Sequence, residues 1–414
     1  MKKPSISQVG KCRICGATSL SRFLYLPEMP FTDDFISQSR FGNEFRADID
    51  IFVCEHCLTA QTQHDVYVAD YYEDYQYSVG DSSTAGRFMQ LLAERLQSAY
   101  YPDIKGKKVL EIGSSDGQQL VAFKQTGCNV LGYEPSSFLC EAAEKKGIPT
   151  IQGLFINESI SLLPEDFREV DVVMLSYTFD HLPDPMAFLA AIRTILNKRD
   201  GLVVIEIHNL EKIIERKEYC LFEHEHTIYL TEDTAKKMCE IAGLVIIDFD
   251  LIPENDRRAN SLIFVATPIG SRFGEGAVQP KTPQEFSRLD FYEGVGSNIN
   301  QGIRNLENFV DHITSQGKTL AGYGAGGRGV MSLAAMSNAN KFKYVVDKKP
   351  KRPGLLMPKS GIPVVGVEYL TSDQVDEILV FSFGYMNEIQ AEVCRLGYKF
   401  KQFHSLLDIL AGKY

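Results

Sequence analysis

Short apolar runs recur through the middle of the chain, separated by stretches long enough for a helix. They predict strands at Lys108–Gly113, Asn129–Tyr133, Val170–Ser176, Leu202–Ile207, Val245–Phe249 and Leu262–Ala266. That alternation favours an α/β fold with a parallel, doubly wound sheet. The last two runs are close enough to pair antiparallel. Upstream, Phe88, Leu91, Leu92 and Leu96 share one face of a helix predicted over Ala85–Gln97. A polar, glycine-containing stretch around Ser271–Pro283 reads as a linker. A helical segment over Pro283–Gln316 then leads into a second α/β start at Thr319–Tyr323, with later strands at Lys343–Asp347 and Glu377–Phe381. This end of the chain reads as a smaller, Rossmann-like unit. The first segment differs, being short on periodicity and rich in turns.

With 414 residues, the chain exceeds what one core usually organises. Three units are expected: 1–70, 71–282 and 283–414. A formal net charge of −11 argues against a general nucleic-acid binder. Two lysines near the start have no apolar run behind them, and no run of about 18 apolar residues follows, so neither a secretory signal nor a spanning helix is expected. Cytoplasm is the default, with no membrane partner. There the tight pairs Cys12-x2-Cys15 and Cys54-x2-Cys57 point to metal rather than disulfides. Two such knuckles complete a tetrahedral zinc site with no open position, so the zinc is expected to be structural. His56, inside the second knuckle, reads as a solvated turn residue.

Candidate chemistry begins at Val109-Leu-Glu-Ile-Gly113-Ser-Ser-Asp-Gly117, where a first strand turns into a helix. Glycines there admit a ligand to the backbone, and an acid ending the next strand, Glu134, can take both ribose hydroxyls. This pairing of Glu111, Gly113, Ser114, Ser115 and Gly117 with Glu134 and Pro135 resembles the class I methyltransferases, which bind S-adenosylmethionine. The resemblance implies Phe155 and Ser176 as further cofactor contacts.

The order of the remaining pieces is more specific. It runs from cysteine knuckles through a tyrosine-rich connector (Tyr71 to Tyr77), the cofactor turn, Asp180-His-Leu-Pro183 and Glu223-His-Glu-His226 to a C-terminal Gly-Tyr-Gly-Ala unit. It resembles the sugar C-methyltransferases that act on nucleotide-linked 4-keto-deoxysugars. That likeness implies a class I methyltransferase core between a small zinc-binding domain and a C-terminal Rossmann-like domain. It implies His226 as the base and Glu225 as the residue that holds the site. Glu223 stands where the family places a tyrosine, and Tyr177 where it places an asparagine.

Methylating carbon needs a carbanion equivalent, so a base must remove the proton beside a carbonyl. A histidine near its ordinary pKa suits that step. Tyr72, Tyr77 and His181 are candidate donors to the enolate oxygen, although the tyrosines could equally form a packing seam. On an extended segment His224 and His226 would share one side and the two glutamates the other. A catalytic metal there lacks a third ligand at a recognisable spacing, and a solvated charged loop is the plainer alternative. In the C-terminal unit Tyr323, Gly324, Ala325 and Arg328 could cradle a diphosphate, with Arg352 beside Lys351 as a second clamp. The alternative is a Rossmann fold kept for packing, with a solvated basic loop. The expected partner is a nucleotide-linked sugar or related small-molecule acceptor, and the expected state a monomer. Rival functions are O- or N-methylation of a related acceptor, and a non-catalytic module that binds S-adenosylmethionine or nucleotide.

Overall fold

The computed structural model describes residues 4–67, 73, 83–258, 260–348, 354–397 and 402–414. Tyr72, Tyr77 and Arg352 lie outside these residues. The central apolar runs form a seven-stranded sheet in the order Leu244–Asp248, Leu262–Pro268, Leu202–Ile207, Val172–Ser176, Lys108–Ile112, Asn129–Glu134 and Thr150–Gln152. Only Leu262–Pro268 runs antiparallel to its neighbours. Successive residues of one strand enter different cores. Val109, Val130, Val172 and Val204 pack on one face, and Leu110, Leu131, Val173 and Val203 on the other. Cover on both faces is why these strands read as nearly continuous apolar runs. Thr150–Gln152, three residues at the sheet edge, was not expected.

The first segment is more regular than its sequence suggests. Leu20–Pro30, Arg46–Cys54 and Ala60–Thr62 form an antiparallel sheet. Register shifts between Arg22 and Leu24 and between Leu26 and Met29 interrupt the period-two pattern in its longest strand. Its fourth strand, Ile228–Tyr229, comes from the middle of the chain, directly after the Glu223–His226 cluster. The C-terminal unit has five parallel strands in the order Val364–Val365, Phe342–Val346, Leu320–Tyr323, Glu377–Val380 and Gln402–Ser405.

The units are not separate beads. Phe23 and Leu26 of the N-terminal sheet, Tyr219 and Phe222 of the middle unit, and Leu306 and Phe381 of the C-terminal unit share one core. The helix Leu289–Ser315 presses on the first of these so closely that a Cβ on Gly296 would stand 2.1 Å from the Phe23 carbonyl oxygen. Among the described residues no helix is long and apolar enough to cross a membrane.

Candidate active site

Glu223–His226 is a turn, closed by the His226 N–H donating to the Glu223 carbonyl at 3.3 Å. The segment is therefore not extended, and the two histidines separate. His224 faces the N-terminal unit, with Nε2 on the Met29 carbonyl and Nδ1 on His64 Nε2, each at 2.9 Å. Because Met29 O can only accept, His224 carries its proton on Nε2 and accepts from His64. His226 faces the methyltransferase core. Its Nδ1 lies 2.8 Å from the Leu221 carbonyl, which places the proton there and leaves the Nε2 lone pair for chemistry.

Two more imidazoles pack on His226: His208 at 4.8 Å and His181 at 4.9 Å between ring centroids. His208 Nδ1 bonds Asp180 Oδ2 at 2.9 Å, and Asp180, His208 and His226 each offer an atom within 4.8 Å of the others. Burial alone would push the His226 pKa down. Glu223, Asp180, the Leu221 carbonyl and Glu225 together carry it above the usual histidine value. Burial wins at the neighbours, pushing His181 and His208 each down to about 4. It pushes Glu223 up to about 8.

Glu225 was expected to hold the site. It accepts a hydrogen bond from the Thr32 hydroxyl at 3.1 Å, and it ranks behind Glu223 and Asp180 in its effect on His226. Glu223 lies against the C-terminal unit, where a Cβ on Gly327 would stand 2.6 Å from its Oε1. Arg328 reaches Glu218 at 3.4 Å and lies over the Phe383 ring. Tyr177, at φ +50°, packs its ring 4.6 Å from that of His208. The Arg258 guanidinium covers Tyr177 and Phe88 while forking onto both oxygens of Glu206. His208, Arg258 and Glu206 were missed in the sequence because they belong to no motif. The available signal for His208 was its place just beyond a strand's carboxyl end, where α/β sites gather.

The candidate cofactor turn is built for close approach. Gly113 has φ +72°, and a Cβ there would strike Thr178 Oγ1 at 2.3 Å. Gly117, also at φ +72°, caps the helix Gln118–Gln125. Glu134 accepts from the Ser115 and Ser136 amides at 2.8 and 2.9 Å, and burial raises its pKa. Phe155 meets Tyr133 edge-on at 5.1 Å, and the Pro135 carbonyl accepts from Gln152. Ser114 Oγ, Ser176 Oγ and Glu111 Oε2 are buried with no hydrogen-bond partner among the described residues. Orphaned polar atoms at strand carboxyl ends fit a polar ligand such as S-adenosylmethionine.

The zinc fit is equally direct. All four sulfurs of Cys12, Cys15, Cys54 and Cys57 lie within 4.8 Å of one another, with Cys12 and Cys57 at 3.5 Å and Cys15 and Cys54 at 3.6 Å.

Three family models match in succession: a zinc binding domain over residues 12–72, a "Methyltransferase domain" over 85–248 and a "C-methyltransferase C-terminal domain" over 277–402. C-methyltransferase NovU of Streptomyces niveus is 24% identical over 93% of this chain and 92% of its own. A ubiquinone biosynthesis O-methyltransferase of Aeromonas salmonicida is 27% identical over 34% of this chain and 65% of its own. Among solved structures, magnesium protoporphyrin IX methyltransferase of Synechocystis PCC 6803 with bound SAH matches with a TM-score of 0.34 at 15% identity, over 48% of this chain and 90% of that one.

Proposed function

We infer that the chain belongs to the S-adenosylmethionine-dependent C-methyltransferase family, and we propose that it methylates a carbon beside the ketone of a nucleotide-linked 4-keto-deoxysugar through a base-generated enolate. The observation that carries this reading is the state of His226. Its Nδ1 proton is committed to Leu221, its Nε2 lone pair is available, and carboxylates surround the ring. Bound S-adenosylmethionine supplies an electrophilic methyl group.

The chain's residues do the rest. His226 Nε2 takes the proton from the acceptor carbon, and Glu223 and Asp180 steady the imidazolium that results. Glu223 and His226 act as a coupled pair: burial favours the uncharged form of each, while ionisation of one favours ionisation of the other. His181, beside His226, is proposed to face the enolate oxygen, and Glu225 to anchor the turn through Thr32. Tyr177 and Arg328 border the acceptor. A cytoplasmic site of action is part of the same reading.

The test is deuterium exchange on a nucleotide-linked 4-keto-deoxysugar in heavy water without methyl donor. Exchange beside the ketone is expected, falling by about 10²-fold or more in His226→Ala. Methylation of an oxygen or nitrogen without any such exchange would sink the proposal and favour the O- or N-methyltransferase.

A further inference from the structure

A carboxyl group taken out of water needs donors, and Glu223 has none. It is 8% exposed, and among the described residues nothing donates a hydrogen bond to its carboxyl group or forms an ion pair with it. Arg328 acts on it only from a distance, being held by Glu218 at 3.4 Å and by the Phe383 ring. On the side of the C-terminal unit Glu223 Oε1 faces Gly327, where a Cβ would stand 2.6 Å away. Burial leads the rise of its pKa to about 8, Glu225 and Asp33 add to it, and His226 and Arg328 oppose it. Cys220 and Tyr229, which also feel its charge, are kept uncharged at neutral pH by burial. Glu223 therefore holds a proton in this site at neutral pH.

Its counterpart is His226. Each is the charged group with the greatest effect on the other, yet no hydrogen bond or ion pair joins their side chains. A turn brings its first and fourth Cα atoms within about 7 Å, so the acidic proton and the Nε2 lone pair stand at the two ends of one turn. The neighbours offer no second proton. Burial works against an ionised Asp180, but the His208 hydrogen bond and the nearby His226 and His181 keep it ionised. His181, pushed down to about 4 by burial, is an uncharged imidazole at neutral pH, which donates a hydrogen bond but transfers no proton. Glu225 accepts from the Thr32 hydroxyl. A ketone oxygen and the carbon beside its carbonyl lie about 2.4 Å apart, so an acid and a base at the ends of one turn can serve both.

We propose that Glu223 is the general acid of the reaction, giving its proton to the ketone oxygen of the acceptor as His226 takes the proton from the neighbouring carbon. This rests on the keto-sugar reading above. The C–H bond breaks and an N–H bond forms at His226 Nε2; the Glu223 O–H bond breaks and an O–H bond forms on the acceptor. The acceptor becomes an enol, and the negative charge settles on Glu223 beside the imidazolium. The pair holds as many protons after the step as before it, so the step moves it between two arrangements of one shared proton. When the enol carbon takes the methyl group and the sulfonium–carbon bond breaks, the hydroxyl proton returns to Glu223 and His226 releases its own to water. Charge thus passes to a preformed partner instead of remaining on the oxygen in a buried site.

Deuterium exchange into the sugar of the test above, with S-adenosylhomocysteine bound, is followed from about pH 6 to about pH 10. The native chain is expected to exchange at neutral pH and to slow as pH rises through about 8, where the pair loses its shared proton. Glu223→Gln keeps the shape and carries no transferable proton. Its exchange is expected to fall about 10²-fold at neutral pH and to lose the slowing above about pH 8. Affinity for S-adenosylhomocysteine within about threefold of native shows that this variant is folded. Glu223→Tyr, whose phenol ionises at about pH 10, is expected to recover about tenfold of the loss and to carry the alkaline slowing upward. Exchange by Glu223→Gln within about threefold of the native rate, or the same slowing through about pH 8 in that variant, overturns the inference and leaves the enolate reading to stand on His226→Ala. Absence of exchange in the native chain overturns both.

Discussion

His224 and His226 stand two positions apart and answer to different parts of the molecule, one to His64 and Met29, the other to Leu221 and Asp180. Between them in effect, if not in sequence, is Glu223, whose carboxyl group is buried and pushed up to about 8. Unfolded, the same group ionises at about 4.5. Its raised folded pKa means that the native state holds a proton which the unfolded chain has lost between those values. The contribution to stability is therefore full below about pH 4.5 and declines as pH rises to about 8. Glu223→Gln keeps the shape and cannot ionise. It is expected to be more stable than the native chain by on the order of 1 kcal/mol at pH 8, with the gap closing by pH 5. Urea unfolding at the two pH values checks this. An equal loss of stability at both would mean that Glu223 acts through packing against Gly327 and not through its charge.

At the scale of elements, the turn that carries the site is pinned by its neighbours. The Thr62 hydroxyl donates to the His226 carbonyl at 2.6 Å, and strand Ile228–Tyr229 joins the N-terminal sheet. This explains what the sequence disclosed and what it withheld. The strand, glycine turn and acid of the candidate cofactor site were legible as an arrangement because they are local, with Gly113 and Glu134 at the ends of adjacent strands. The parallel strands were legible because both their faces are apolar. The N-terminal sheet was hidden by its bulges, and the Asp180–His208–His226 cluster by the distance in sequence between its members. Burial pushes His224 down to about 3 and lowers His64 as well. Unfolded, each would protonate near pH 6.5, so their contact contributes fully above that pH and is lost as pH falls towards about 3. The contribution of this pair is accordingly expected to shrink from pH 7 to pH 5, and the stability of the native chain relative to His224→Gln to fall by about 1–2 kcal/mol over that interval. Identical slopes for the two chains in thermal unfolding would contradict the assignment.

Across the whole molecule, the zinc-binding unit reaches the proposed acceptor turn through direct polar contacts, whereas it meets the strands of the proposed cofactor turn only through a shared apolar core. Thr32, Thr62 and His64 of the N-terminal unit touch Glu225, the His226 backbone and His224. Cys54 ends the strand Arg46–Cys54 that carries the neighbouring register of that sheet. The cofactor turn instead hangs on the Tyr133 carbonyl, to which Gly113 N donates at 2.8 Å, and on Glu134. Deprived of zinc, the cysteines take up protons and no longer tie the two knuckles together, so the sheet loses its closure. Removing zinc, by mercurial displacement followed by chelation or by Cys57→Ser, is therefore expected to affect the two sites unequally. Methyl transfer should fall at least about tenfold, equivalent to about 1.4 kcal/mol of barrier, while the affinity for S-adenosylhomocysteine stays within about threefold. Activity assay and calorimetry on the same preparation decide the matter. If affinity and activity collapse together, zinc holds the whole chain folded; if neither changes, the cysteine cluster is not what positions His226.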